Sequence, residues 1–142
     1  MTLQASAYIP CDEPITFEEL PQVAQTFIKD TFNNLTVTRA SYNSTSSEKI
    51  YEVAFSDNTL ITFDEVGNWT EINRNDAEIP VLLIPEPILE WLSIHNFGLS
   101  VSRIKKAENH ICLELFNNET LTFDSEYQLI ETEPDTIDTI EE

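Results

Sequence analysis

The chain repeats its own sequence pattern, and this duplication is the feature that most constrains its fold. At a spacing of 64 residues, the apolar pattern that begins at Leu20-Pro21 recurs at Ile84-Pro85. Further along, the spacing falls to 60 residues, so that Phe63-Asp64 recurs as Phe123-Asp124. The second copy is therefore shorter than the first. The missing residues correspond to the polar stretch 43–47 of the first copy, which is typical of a surface loop that tolerates a deletion. We therefore expect one structural unit to be built twice.

Each copy begins with a helical pattern. In the first copy the apolar residues recur at the i, i+3, i+4 and i+7 spacing of a helix with one buried stripe: Leu20, Val23, Ala24, Phe27, Ile28 and Phe32. Pro21 and Pro85 suit the first position of a helix, where the missing N–H group costs nothing. Upstream, Thr16 and Glu19 have the spacing of a capping box, which predicts a short helical turn before Pro21.

After each helix the apolar period changes from 3.6 to 2, which indicates strands. The alternating apolar positions are Tyr51, Val53, Phe55, Ile61 and Phe63 in the first copy and Ile111, Leu113, Leu115, Leu121 and Phe123 in the second. Asp57-Asn58 and Asn117-Asn118 are typical of hairpin turns. The pattern predicts an α+β fold in which two tandem helix-plus-antiparallel-strand repeats form one continuous antiparallel sheet with the helices on one face.

The predicted boundaries follow from the same pattern. Residues 1–14 form an N-terminal arm and residues 15–132 form a single domain. Within that domain, repeat 1 covers 15–73 and repeat 2 covers 79–132, joined by a short polar linker. Residues 133–142 form an acidic tail.

The charge balance excludes several classes of partner. Seven Lys and Arg residues stand against 26 Asp and Glu residues, for a formal net charge of −19. So few basic residues cannot neutralise a phosphate backbone, so we expect no nucleic-acid partner. Anionic membrane surfaces are disfavoured for the same reason. No apolar run approaches the roughly 18 residues of a spanning helix, and the N-terminus shows no signal peptide, so no membrane insertion is expected.

The residues that could carry catalysis are few. We predict no catalytic residues, no bound metal and no cofactor, because the chain lacks a glycine-rich phosphate loop and a calcium loop, and its cysteines lack metal-ligand spacing. The two histidines, His95 and His110, are interpreted as partly exposed structural residues. Two alternatives stay open: a His110–Cys112 pair on one strand face, and a disulfide between Cys11 and Cys112.

The ordered motifs resemble a known family. Ile15-Thr16-Phe17-Glu18-Glu19-Leu20-Pro21 precedes the first helix, Gly67-Asn68-Trp69 follows Phe63-Asp64, and Leu113-Glu114-Leu115 lies in the second copy. Together they resemble the PepSY-like, β-lactamase-inhibitor-like family of Bacteroides-type bacteria, over roughly residues 15–131. The resemblance implies a tandem repeat like that of the β-lactamase inhibitory protein, in which helices back a sheet whose free face binds a partner. It also implies a periplasmic or secreted protein, while the absent signal peptide leaves a cytoplasmic location open.

These observations favour a non-enzymatic binding or inhibitor-like module that holds a protein or peptide on the free face of the sheet. The candidate partner-binding residues are aromatic: Tyr42, Trp69 and Phe116, the last on the strand face opposite Leu113 and Leu115. The alternative is an acidic mimic that antagonises a basic, nucleic-acid-binding site by charge. A charge-driven interaction weakens steeply with salt, which would distinguish the two.

Overall fold

Nine antiparallel strands dominate the computed structural model, which describes residues 12–44, 49–95 and 100–132. In chain order they are β1 Asp12–Ile15, β2 Val37–Ser44, β3 Lys49–Phe55, β4 Leu60–Phe63, β5 Trp69–Asn73, β6 Val101–Lys106, β7 His110–Leu115, β8 Thr120–Asp124 and β9 Leu129–Thr132. Each strand pairs with its neighbours in sequence, from β9 at one edge to β1 at the other. The sheet is therefore a simple meander of hairpins and longer connections.

In the described residues, two α-helices accompany the strands. They are α1 (Gln22–Thr31) and α2 (Glu86–Ile94), of ten and nine residues. A short 3-10 turn precedes each one, at Phe17–Glu19 and at Val81–Leu83. Neither helix has the length and apolar character needed to cross a membrane. The chain divides into two compact units between Thr70 and Glu71, and each unit contains one of the helices.

The predicted fold class is wrong. We expected an α+β protein made of two helix-plus-strand repeats with the helices on one face, and the structure is a mostly β, nine-stranded antiparallel sheet with two short helices. Each helix is confined between a proline N-cap, Pro21 or Pro85, and a strand-forming segment, so it stays short. The predicted N-terminal arm also supplies a strand, β1, which pairs with β2.

The first unit buries one face of its strands under α1. The Phe27 ring meets the Phe63 ring edge-on, with centroids 6.1 Å apart. The buried apolar residues of this unit are Leu20, Ala24, Ile28, Phe32, Ala40, Val53, Phe55, Ile61 and Phe63. The predicted strand alternation is confirmed, whereas Val23 of the predicted helical stripe is 49% exposed. A helical pattern is less selective than strand alternation because its buried arc has poorly determined edges.

The second unit is organised in the same way by itself. Trp91 of α2 contacts Phe123 of β8 edge-on, with ring centroids 5.5 Å apart. The buried apolar residues are Ile72, Ile79, Ile84, Ile88, Leu92, Val101, Ile104, Leu113, Leu115, Leu121 and Phe123. The helix-facing side of this unit is therefore almost entirely aliphatic, with a single buried aromatic ring.

Local hydrogen bonds explain where the first helix begins. The Thr16 amide donates to the Glu19 carboxylate at 2.9 Å, as the capping-box spacing predicts. Gln25 of α1 connects the helix to the preceding 3-10 turn. Its buried side-chain amide donates to the carbonyl oxygens of Glu18 and Leu20 at 3.1 and 2.9 Å. Three predictions fall at least partly outside the described residues: the structure of residues 1–11, the acidic tail 133–142 and the bond between Cys11 and Cys112.

Candidate functional site

The structure places Trp69, at the start of β5, against the first helix. Its ring stacks on Phe27 of α1 at a centroid distance of 6.4 Å and an interplanar angle of 30°. Phe27 in turn contacts the buried rings of Phe32 and Phe63. The Trp69 ring therefore belongs to the margin of the core and packs on the helix side of the sheet.

Tyr42 also lies on the helix-facing side of the sheet. It stands opposite Tyr51 in the β2–β3 pair, and the two rings are 5.0 Å apart. Tyr51 stands opposite the fully buried Phe63 in the β3–β4 pair. Directly opposed residues of antiparallel strands project to the same face, so Tyr42 shares the face of Phe63 and not the free one.

Phe116 is the third aromatic candidate, and it is accessible. It begins the hairpin turn after β7, its amide donates to the Ser100 carbonyl at 3.2 Å, and its side chain is 47% exposed. It therefore remains a candidate for surface contact. Partner binding by Tyr42, Trp69 and Phe116 stays a prediction.

The free face of the second unit carries a band of polar and charged side chains. One row across the strands consists of Glu71, Lys105, Cys112 and Thr122, and a neighbouring row consists of Asn73, Arg103, Glu114 and Thr120. These rows alternate with the buried row of Ile72, Ile104, Leu113 and Leu121. The period of two therefore directs both charged rows away from α2.

Arg103 on β6 is the centre of this band. Its Nε donates to Glu71 Oε2 at 2.7 Å, and its Nη1 lies 3.5 Å from Glu114 Oε1. Partial burial alone would lower the pKa of Arg103, but the hydrogen bond to Glu71 and the charges of Glu71 and Glu114 outweigh it and raise that pKa above its ordinary value. Arg103 therefore stays charged, and the two carboxylates fix its orientation.

A shallow depression of about 210 Å³ lies over these rows. Its lining comprises Arg103, Lys105, Cys112, Leu113, Glu114 and Thr120. A held guanidinium beside an exposed ammonium group is suited to receiving a carboxylate from a partner. Arg103, Lys105 and Lys106 also account for three of the seven basic residues of the chain, all on β6.

Sequence reasoning missed this cluster. Its partners are far apart in the chain, since Arg103 bonds to Glu71 on another strand. A usable signal did exist, because a strand with three basic residues is conspicuous in a chain of net charge −19.

The structure gives each residue considered for catalysis a neighbour that is not a catalytic partner. Cys112 Sγ lies 3.5 Å from Thr122 Oγ1, and His110 stands opposite Asp124 in the β7–β8 pair. His95, just after α2, stacks on Trp91 with ring centroids 4.0 Å apart, and its Nδ1 donates to the Trp91 carbonyl oxygen at 2.9 Å. Within residues 12–44, 49–95 and 100–132, no group of three or more His, Cys, Asp or Glu side chains converges as metal ligands would.

Comparison with known proteins adds a family and a fold. A family model described as "Putative beta-lactamase-inhibitor-like, PepSY-like" matches residues 49–131. A solved structure from Bacteroides thetaiotaomicron, described as a "putative calcium-regulated periplasmic protein", is 32% identical with a TM-score of 0.83, and the match covers 87% of this chain and 97% of that one. Curated proteins give no match.

Two structures from Bacteroides vulgatus are also similar. Each is described as a "putative periplasmic protein". The first is 29% identical with a TM-score of 0.83, covering 87% of this chain and 97% of that one. The second is 21% identical with a TM-score of 0.82, covering 87% and 99%, and it shows the shared fold alone.

Proposed function

Because the chain belongs to the PepSY-like, β-lactamase-inhibitor-like family, we propose that it is a non-enzymatic binding module that holds a protein or peptide partner on the free face of its sheet. The inhibitor-like character of the family supports a binding role over a catalytic one. The description of the similar structures as periplasmic supports a place for this chain in the same compartment.

One observation supports the free face of the second unit as the binding surface. Arg103 and Lys105 line a depression on that face, and the bond from Arg103 to Glu71 holds the guanidinium in one orientation. A pre-oriented guanidinium loses less side-chain entropy when it binds, and the N–H groups of Arg103 beyond those that meet Glu71 and Glu114 can donate to a further carboxylate beside the Lys105 ammonium group. The proposed partner segment therefore presents Asp, Glu or a terminal carboxylate to this face.

The test uses a displayed library of random 12-residue peptides selected on the full chain. The best peptide is synthesised, and its affinity is measured by fluorescence anisotropy for the double variant Arg103→Gln/Lys105→Gln. The control is Arg39→Gln/Lys49→Gln, which removes the same charge from the first unit. We expect acidic peptides to be selected, and binding to fall at least tenfold in the first double variant and less than twofold in the control.

Two results would contradict the proposal. An equal loss of peptide affinity in both double variants would indicate that only total charge matters. No loss of affinity in either would exclude the free face of the second unit as the binding surface. The acidic-mimic alternative, motivated by the net charge of −19, predicts the reverse outcome. All selected peptides would be basic with no acidic peptides among them, and Arg103→Gln/Lys105→Gln would leave their affinity unchanged or increase it.

The calcium regulation in the description of the B. thetaiotaomicron structure is a statement about that protein. In the described part of this chain, no three or more Asp, Glu, His or Cys side chains lie close enough together to hold a metal ion.

A further inference from the structure

Two turns of the molecule share one backbone design. In the first unit, the Asp64 carboxylate accepts hydrogen bonds from the amides of Val66, Gly67 and Asn68 at 2.9–3.0 Å. In the second unit, the Asp124 carboxylate accepts from the amides of Glu126 and Gln128 at 2.9 Å. The third residue after each Asp has a positive φ and donates its amide to the Asp carbonyl. The two turns can therefore be compared position by position.

The residue at the positive-φ position differs sharply between the turns. It is Gly67 in the first, with φ of +109°, and Tyr127 in the second, with φ of +63°. A Cβ on Gly67 would lie 2.8 Å from Pro21 Cβ and 3.1 Å from the Ala24 amide nitrogen, so this turn sits directly on the start of α1. Tyrosine carries a full side chain at the same position, which is incompatible with so close an approach.

The residue that begins the next strand differs as well. In the first unit it is Trp69, which covers the ring of Phe27 by stacking. In the second unit it is Leu129, which is smaller and has no ring to stack. The helix residue that contacts the buried Phe is Phe27 in the first unit and Trp91 in the second.

These two differences accompany an open groove of about 420 Å³ between α2 and the Asp124 turn. Its main lining residues are Glu90, Trp91 and Ile94 from α2, with Glu126, Tyr127 and Leu129 from the turn and β9. Ile94 is 71% exposed and Tyr127 is 37% exposed. Apolar and aromatic side chains thus line the groove together with the two exposed carboxylates of Glu90 and Glu126.

Backbone strain supports a role for Tyr127 outside the core. A bulky residue at positive φ costs on the order of 1–3 kcal/mol, and such strain is concentrated at ligand-binding positions. The matching turn is built with glycine at no such cost, and the Tyr127 side chain is only partly buried, at 37% exposed. The strained position holds an aromatic ring at the rim of the groove.

We propose that this groove is a second docking site, which takes a segment of a partner protein that presents an apolar side chain flanked by Lys or Arg. The apolar side chain would lie against Ile94, Tyr127 and the part of Trp91 that lines the groove, since His95 already stacks on the Trp91 ring, and the basic residues would meet Glu90 and Glu126. The groove lies on the helix side of the second unit, so the proposal is independent of the free-face site and of its acidic partner.

The experiment uses the emission of Trp91 as a local reporter. The chain has two tryptophans, and Trp69→Phe leaves Trp91 as the only one while keeping an aromatic ring over Phe27. Three synthetic 11-residue peptides are titrated into this full-length variant: one with a central Leu-Leu pair flanked by lysines, the same pair flanked by glutamates, and the lysine peptide with Ser in place of both leucines. Only the first is expected to produce a saturable change in Trp91 emission at 150 mM NaCl.

Two substitutions then test the groove itself. Tyr127→Gly introduces the residue found in the matching turn, so the turn is expected to fold. Ile94→Ser removes part of the apolar lining of the groove. Each substitution is expected to lower the affinity for the lysine-flanked Leu-Leu peptide at least fivefold. Leu82→Ser, in the 3-10 turn of the same unit, is the control: Leu82 is 79% exposed and lies outside the groove lining, and less than a 1.5-fold change is expected.

Each other outcome would overturn the proposal. Equal binding of the lysine–serine peptide would indicate adventitious attraction to an acidic protein. If the glutamate-flanked peptide bound as tightly as the lysine-flanked one, Glu90 and Glu126 would not contribute to recognition. Equal loss in Leu82→Ser, or no saturable change of Trp91 emission at all, would remove the groove as the site. Circular dichroism of every variant establishes that a loss does not come from unfolding.

Discussion

At the scale of single residues, the turns show which positions need a special backbone. Asn58 and Asn118 lie at φ of 74° and 72°, in the hairpin turns that their Asp-Asn and Asn-Asn pairs predict. Gly67 occupies a positive-φ position against α1 where any side chain would collide. Tyr127 breaks the rule, since local preference alone would place Gly or Asn there.

Replacing Gly67 with Ala is expected to destabilise the chain. The variant must accept strain at φ of +109° and move its Cβ away from Pro21 and Ala24, which together cost about 2–4 kcal/mol. Asn118→Ala is the matched control, because it places Ala at positive φ in an exposed turn and costs only about 1 kcal/mol. Urea denaturation measures both, and an equal effect of the two substitutions would show that the contact with α1 is unimportant.

At the scale of elements, strand alternation was a better guide than helical periodicity. Val53, Phe55, Leu113 and Leu115 are buried as the period of two predicts, because each strand has only two faces. The helical stripe identified most buried positions of α1 but included the exposed Val23. The side on which Trp69 lies could not be obtained from periodicity, since Trp69 begins its strand and its ring reaches across to Phe27.

Trp69→Ala is therefore expected to act on stability. The substitution removes the ring stacked on Phe27 and leaves a gap at the edge of the core, which costs about 2–3 kcal/mol for a half-buried tryptophan. Phe116→Ala, at a site 47% exposed, should change stability by less than about 0.5 kcal/mol. Thermal and urea unfolding measure both, and a Trp69→Ala protein as stable as the parent would refute the assigned packing role.

At the scale of the whole molecule, the dominant property is the net charge of −19 on 142 residues. The ion pairs found in the described residues are few, and the Lys49–Glu65 pair is exposed and 3.9 Å long. Exposed pairs of this kind contribute little. Repulsion between the remaining carboxylates therefore opposes the compact state, and dissolved salt should relieve it.

We accordingly expect the melting temperature at pH 7 to rise by about 3–6 °C between 10 and 300 mM NaCl, equivalent to roughly 1 kcal/mol for a chain of this size. Differential scanning calorimetry provides the measurement. Sodium sulfate at matched ionic strength serves as the control, because screening depends on ionic strength while surface exclusion makes sulfate more effective. A melting temperature that stays constant or falls with NaCl would contradict the expectation.

The sequence by itself determined the buried faces of the strands around Val53, Ile61, Leu113 and Leu121, two hairpin turns, the approximate helix starts and the charge, because each depends on neighbours within a few residues. It did not determine the mostly β character or the use of residues 12–15 as an edge strand, since pairing of β1 with β2 joins segments far apart in the chain. The sites were also decided by tertiary structure. Arg103 meets Glu71 only through strand register, and the groove beside Tyr127 exists only where α2 faces the Asp124 turn. Which distant side chains meet depends on strand register and on helix packing. Neither produces a periodic pattern in the sequence.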